Sequence, residues 1–532
     1  MFFRKGENNT MLTYDQPRSK GVENALNRAR HMLGIRWTPR MEVDIEKPAP
    51  SAGSYLFATR NGKEAQNAAP IPIPYSSARM HDGLVGVDIS IDTFVSAVQN
   101  PASIVYTRNI HDFDDDAFLC TIRNGYFAYG TVCSAFVDYA LDLPIHRCTH
   151  EWGSAPEFCE ILAPTADKLA LCDTLVTTRP DGHTGGHVRM VTGIARDEQQ
   201  RVCMVEISEG RTVYPASSWY SAAEINKVFE EGGKRERLFR YRYLDSVAPH
   251  APLMAAANPE LMLNRGSFSN YHAGEPVEFN ICCEAETLVI EGADTHREIP
   301  LKDLAPTMIQ ENAYQIYSTA NLKPGRYAAH CVQGARKTAA VYFNVVRLPK
   351  VQLTDAQGKN FERIALRPVA PDGSALTQES PCLYAEDGTL QSGVVNIAFT
   401  DGKRLIPARA AVRERDGEMV MRPAAMLTDA EGRRVHSFKI GEDIVLYALR
   451  AKEHTVVRAS FEGAEGCTPV YFTWTEEGVI GYNQRLLAAD EIAQGCVDSV
   501  VSKYLNDFAN FSICCSNEYG RVNTEPIAFV LE

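Results

Sequence analysis

Several kinds of segment are missing from this chain. No apolar run approaches the ~18 residues that a membrane helix needs, so no integral helical span is expected. There is no basic block: 54 Lys and Arg stand against 67 Asp and Glu, for a formal net charge of −13. A chain of that sign is a poor partner for nucleic acid or for an anionic membrane surface. No C-x-x-C pair occurs, which argues against a zinc ribbon. Neither a Walker A motif nor a dinucleotide fingerprint is present. The 14 cysteines are spread thinly over 532 residues. That spread is unlike a disulfide framework, and most are read as buried thiols in a reducing compartment. Cys283 and Cys331 have no tryptophan between them and are read as free. The segment from Met1 to Gly21 has no apolar core followed by a small-residue cleavage site. Cytoplasmic residence or release by a non-classical route is therefore expected.

The apolar fraction of 45% and charged fraction of 23% are ordinary for a folded chain. At ~150 residues per domain the length suggests three or four domains. Texture changes near residue 248. Before it, helical and strand patterns mix: helices are expected over 21–33, 89–99 and 134–141, and strands over 175–178, 187–194 and 202–208. The stretch 51–77, rich in Pro, Ala, Gly and Asn, reads as an irregular connection. After 248, strand-like runs alternate with turn clusters such as Lys323-Pro324-Gly325 and Asp401-Gly402. The run 274–282 looks like a first copy of 441–449, each followed by a closing strand pair. This weak repeat predicts immunoglobulin-like sandwiches over 248–347 and 436–532. The stretch 348–435 reads as β-rich, a third module or an elaboration of the second.

Chemistry concentrates in three segments. In the first, Tyr129 to Leu141, Cys133 stands just before an apolar helical pattern. A thiol at a helix N-terminus is favoured as thiolate by the dipole, and thiolate is the nucleophilic form. Ser134 follows it. In the second, Gly182 to Ile194, His187 opens an expected strand beside two glycines, with Arg189 and Val191 on its side and Val188 and Met190 on the other. In the third, Val202 to Gly210, Glu206 is placed to orient the imidazole. Ser208 and Glu209 are rivals, because register is not readable from sequence. Lower weight falls on His183 and Asp181 near His187, and on His146, Cys148 and His150, which have metal-ligand spacing but read as turn and loop residues. No metal and no cofactor is expected. The acidic cluster Asp112, Asp114, Asp115 and Asp116 reads as a solvated turn. Trp152, in the loop after the helix expected over 134–141, is a candidate for touching substrate.

The ordered trio resembles the NlpC-type branch of papain-like cysteine peptidases. Leu171 to Val176 is similar to that family's strand before the histidine, and Gly34 to Pro39 to its entry segment, with Trp37 where a tyrosine normally sits. The resemblance covers roughly residues 22–210. It implies an α+β papain-like catalytic domain over 1–247 with an insertion at about 40–120. It also implies Cys133 as nucleophile, His187 as general base and acid, Glu206 as orienter, and Trp37, Tyr129, Ser134 and Trp152 in the substrate cleft; Tyr126 and Tyr129 are alternatives to Trp37 for the site tyrosine. The family cleaves amide bonds in bacterial cell-wall peptides. Val132 departs from its usual Asp before the Cys, and Ala135 from its usual Gly.

A multidomain α+β hydrolase is therefore expected, acting on peptidoglycan-derived or other peptides, with the β modules carrying protein or glycan contacts. Two alternatives remain open at this point. One is a non-catalytic binding or adhesion protein on a peptidase scaffold. The other is an acyltransferase using the same dyad, since an amine can replace water on the acyl-enzyme.

Overall fold

The computed structural model describes residues 12–36, 73, 78–79, 91–97, 129–178, 184–210, 215–230, 236–250, 260–263, 266–303, 307–308, 315–319, 321–391, 394–475, 483–501 and 507–532. Trp37, Tyr126, Asp181, His183, the 112–116 cluster and nearly all of the expected insertion lie outside them, as does the side chain of Tyr129. The described residues divide into two compact units. One holds 12–36, 73 and 131–250; the other holds 260–532 with 78–79, 91–97 and 129–130.

In the first unit, α1 (Lys20–Gly34) forms where the apolar spacing predicts. Val22, Ala25, Leu26, Ala29 and Met32 make one buried stripe. Ser19 caps the helix by accepting from the Val22 N–H. A second helix, α2 (Cys133–Ala140), is buried throughout. Arg28 joins the two: its Nε donates to the Tyr139 carbonyl at 2.6 Å and its guanidinium lies 4.6 Å from the Tyr139 ring.

The strands beside these helices are β1 (Phe158–Ile161), β2 (Thr174–Thr178), β3 (Thr184–Arg196), β4 (Val202–Gly210), β5 (Pro215–Ser221) and β6 (Glu236–Tyr241). They make one sheet in the order β1-β6-β2-β3-β4-β5, with Thr13–Tyr14 added on β3. Between β5 and β6 runs α3 (Ala222–Glu230). Strand β3 starts three residues earlier than expected: Gly185 and Gly186 belong to the strand, and Gly186 takes φ +100°. A bulge between Val191 and Gly193 then shifts its register against β4.

In the second unit, residues 261–346 form a two-sheet sandwich. One sheet is β7 (Leu261–Leu263), β9 (Val277–Ile281), β13 (Gln315–Thr319) and β12 (Thr307–Met308). The other is β8 (Ser269–His272), β15 (Val341–Val346), β14 (Gly325–Gln333), β10 (Thr287–Gly292) and β11 (Thr295–Pro300). These are the A-B-E-D and G-F-C-C′ orders of an immunoglobulin sandwich, with β8 lying parallel to the last strand. Leu261, Phe279, Leu288, Ile290 and Phe343 fill a core shared by both sheets. Tyr327, early on the F strand, donates its hydroxyl to the Lys323 carbonyl at 2.8 Å, the tyrosine corner of such folds.

The domain boundary expected at 436 is corrected. The second sandwich takes its first strand from β16 (Lys350–Asp355), which pairs with β22 (Val456–Glu462) and through it with β25 (Cys496–Val500). Its facing sheet is β21 (Leu446–Ala451), β27 (Ile527–Leu531), β26 (Phe508–Asn517), β23 (Thr468–Thr475) and β24 (Asn483–Leu486). Residues 356–445 are thus inserted between its first two strands. Within them β17 (Glu362–Val369), β18 (Val394–Thr400), β19 (Leu405–Arg415) and β20 (Glu418–Pro423) extend the facing sheet beyond β21 and bury a core that also takes in Leu446, Ala448, Phe508, Ala528 and Val530 of β21, β26 and β27. The repeat also needs re-registering. Leu446–Ala451 lies parallel to its closing strand as Ser269–His272 does, so it does not match Val277–Ile281. Trp474 on the C strand is buried against Phe511 and Phe529. In antibody-type domains the C-strand tryptophan packs on an inter-sheet disulfide; here it packs on two phenylalanines. The cysteines among the described residues are free thiols.

Candidate active site

Cys133 is the first residue of α2, and the residue before it, Val132, offers no side-chain cap. The helix start therefore keeps its dipole directed at the thiol. Gly210, the last residue of β4, backs against this turn. A Cβ on Gly210 would stand 2.9 Å from the Val132 carbonyl oxygen and 3.0 Å from the Cys133 nitrogen. Only a residue without a side chain lets the strand approach the helix start this closely.

His187, on β3, donates its Nε2–H to the Glu209 carboxylate at 2.6 Å. It also hydrogen-bonds the Cys133 side chain. With Nε2 held by Glu209, Nδ1 is the nitrogen left for the sulfur. Burial pulls the imidazole pKa down, but the hydrogen bonds and negative charge of Cys133 and Glu209 outweigh it and raise it to about 9. At neutral pH the group is an imidazolium set between a thiol sulfur and a carboxylate. Such a pair stabilises thiolate. Cys133 is 5% exposed and the Glu209 side chain 6%, whereas the His187 side chain is 31% exposed. The open side of the trio is the imidazole.

Glu206 is not the partner of His187, which corrects the expectation. The Met190–Ser208 pairing puts Glu209 across from Arg189, diagonal to His187 and on its face. Glu206 pairs instead with Gly193 beyond the bulge. That is six residues farther along β3, roughly 20 Å at 3.3 Å per residue. There its carboxylate accepts from the Thr192 hydroxyl at 3.1 Å. Ser208, the other rival, is fully buried and bonds Thr192.

Trp152 is also corrected: it is 1% exposed, 4.1 Å from the Phe158 ring, with its N–H donated to the Arg147 carbonyl. It is core, not cleft. Ser134 is buried in the first turn of α2. His146 and Cys148 form a second relay rather than a metal pair or a simple loop. Asp138 holds His146 Nδ1, and His146 Nε2 lies 3.3 Å from the Cys148 sulfur. The next residue, Thr149, accepts from the Gly186 N–H at 3.1 Å, beside His187. This relay thereby braces the start of the histidine strand.

The charge of Glu209 makes a test of pH dependence. Removing it in Glu209→Gln withdraws one of the interactions that raise the His187 pKa. Any reaction needing the imidazolium should then lose its alkaline limb, normally near pH 9, at a lower pH. Glu206→Gln should leave that limb in place. A shift in the second variant and none in the first would reassign the third residue.

No family model matches the chain, and no curated protein matches it. Among solved structures, the fibronectin(III)-like modules of Clostridium thermocellum CbhA align at 7% identity and a TM-score of 0.17, covering 51% of this chain and 92% of that one. A chimeric titin Z1Z2 tandem aligns at 8% identity and 0.14, covering 50% and 95%. A Dpr2 Ig1-Ig2 structure in complex with DIP-Theta aligns at 9% and 0.12, covering 49% and 95%. The sandwich architecture stands on the strand pairing and the shared cores.

Proposed function

We propose that the chain is a cysteine amide hydrolase with a papain-like catalytic unit of the NlpC type, acting on peptide amide bonds of the kind found in bacterial cell-wall peptides. One observation carries the reading: a thiol at a helix start, hydrogen-bonded to an imidazole that a buried carboxylate holds from its other side. The thiolate of Cys133 adds to the amide carbonyl. Backbone N–H groups in the first turn of α2 stabilise the oxyanion. The intermediate collapses as His187 gives its proton to the leaving amine, and a thioester to Cys133 remains. Neutral His187 then takes a proton from water as its oxygen adds to the thioester; collapse releases the acid and restores the Cys133 thiolate beside the His187 imidazolium. Glu209 keeps the imidazole oriented and supports its positive form.

The second relay, Asp138–His146–Cys148, has the same order of groups. Exposure separates the two: the His146 side chain is 1% exposed against 31% for His187. A peptide reaches the imidazole of His187 and not the buried one of His146. Mass spectrometry of products from digestion of bacterial stem peptides tests the proposal. New amine and acid termini are expected with the native chain and not with Cys133→Ala. Cleavage by both proteins, or by neither, would overturn it.

A further inference from the structure

Glu206 and Trp219 build a second feature on the first unit, away from His187. Gly193, Glu206 and Trp219 are cross-strand neighbours on β3, β4 and β5. A Cβ on Gly193 would meet the outer edge of the Trp219 indole at 2.9 Å and the Glu206 carboxylate at 3.1 Å. The indole therefore reaches across Glu206 and lies over the bare glycine. It is nevertheless 42% exposed. Tyr14, 57% exposed, stands edge-on to it with ring centroids 6.0 Å apart. Together they border a cavity of about 520 Å³ whose other wall is α1, through Glu23, Asn27 and Arg30.

Charge narrows what the cavity suits. Asp15 on its rim is paired with Arg196 through two hydrogen bonds at 2.7 and 2.9 Å. Glu23 is paired with Lys20 at 2.9 Å. Glu206 and Arg30 remain, one of each sign, so neither an anion nor a cation is favoured as a whole. A neutral ligand is indicated, with an apolar face for the indole and many hydroxyls for the planar polar groups around it. The Thr192 hydroxyl, itself bonded to Ser208, fixes the Glu206 carboxylate as an acceptor. A pyranose ring has this division: C–H groups on its faces and hydroxyls on its rim. An aromatic side chain offers it contact area at low entropy cost, and a few placed polar groups set orientation.

We infer that this cavity is a saccharide-binding site, with Trp219 as the stacking platform, Tyr14 as its side wall and Glu206 as a hydroxyl acceptor. It gives Glu206 a role separate from the chemistry at Cys133. The inference does not depend on hydrolysis, because binding is measured without turnover.

The test is titration of the full chain with chitotetraose, cellotetraose, maltotetraose and xylotetraose, followed by tryptophan fluorescence and by calorimetry. At least one of the four is expected to bind and to change the emission. Trp219→Ala should weaken that binding by about tenfold or more, as truncation of a central aromatic contact does. Trp219→Phe should retain part of it, and Glu206→Gln should weaken it without abolishing the emission change. Circular dichroism checks that each variant is folded. The proposal is overturned if none of the four binds, if binding persists unchanged in folded Trp219→Ala, or if N-acetyl-lysine methyl ester binds there and no saccharide does.

Discussion

Cys133→Ala is expected to lower kcat/KM for stem-peptide cleavage by at least ~10³-fold while leaving the fold in place. The loss should be large because the sulfur is the only group at the helix start that can form the thioester. It should also be clean. The side chain is small and buried, so alanine costs little packing. A thermal melt within a few degrees of the native chain, together with the lost rate, is the expected pair of results. A modest rate loss would mean that the thiol is a structural neighbour of His187.

Gly210→Ala is expected to have the second largest effect, on a residue with no chemistry of its own. The new methyl would stand 2.9–3.0 Å from the Val132–Cys133 peptide, too close for any ordinary contact. Either β4 or the first turn of α2 must shift. Overpacking of this kind costs roughly 1–3 kcal/mol. A displacement of about 1 Å at reacting groups can lower a rate about 10²-fold. Because Gly210 follows Glu209, the shift moves the carboxylate and the helix start against each other, so activity should fall more than stability. Steady-state kinetics beside a denaturant melt checks this. Full activity in a folded variant would show that the close approach is incidental to the site.

Much of this site was legible in the sequence, and the rest was not for physical reasons. Cys133 before an apolar helix and His187 near two glycines stand out because each is a local pattern. The third residue depends on pairing between strands, and the bulge after Val191 sets the register that brings Glu209 onto the histidine's face. No local pattern marks that bulge. Trp152 looked like a cleft residue because it sits in a loop with His150, yet its ring found Phe158 and the core. In the β region, alternation predicted strands and the closing pair of each sandwich, but not the partner of a strand far away in sequence. The first strand of the second sandwich, Lys350–Asp355, is separated from the next by some ninety residues of inserted sheet. Contacts across such a separation leave no spacing to read. Of the Asp138–His146–Cys148 relay only His146 and Cys148 stood out in the sequence; Asp138, on the helix before that loop, did not.

The central claim is that Cys133 is activated by His187. Alkylation by iodoacetamide at pH 6.5, followed site by site with mass spectrometry, tests it most directly. Burial pushes the thiols of Cys172, Cys282 and Cys331 up to about 12, so these should scarcely react at that pH. Cys133 should react fastest among them despite its own burial, and His187→Ala should reduce its rate toward theirs. Slow reaction of Cys133 in the native chain, or a rate unchanged by His187→Ala, would contradict the account.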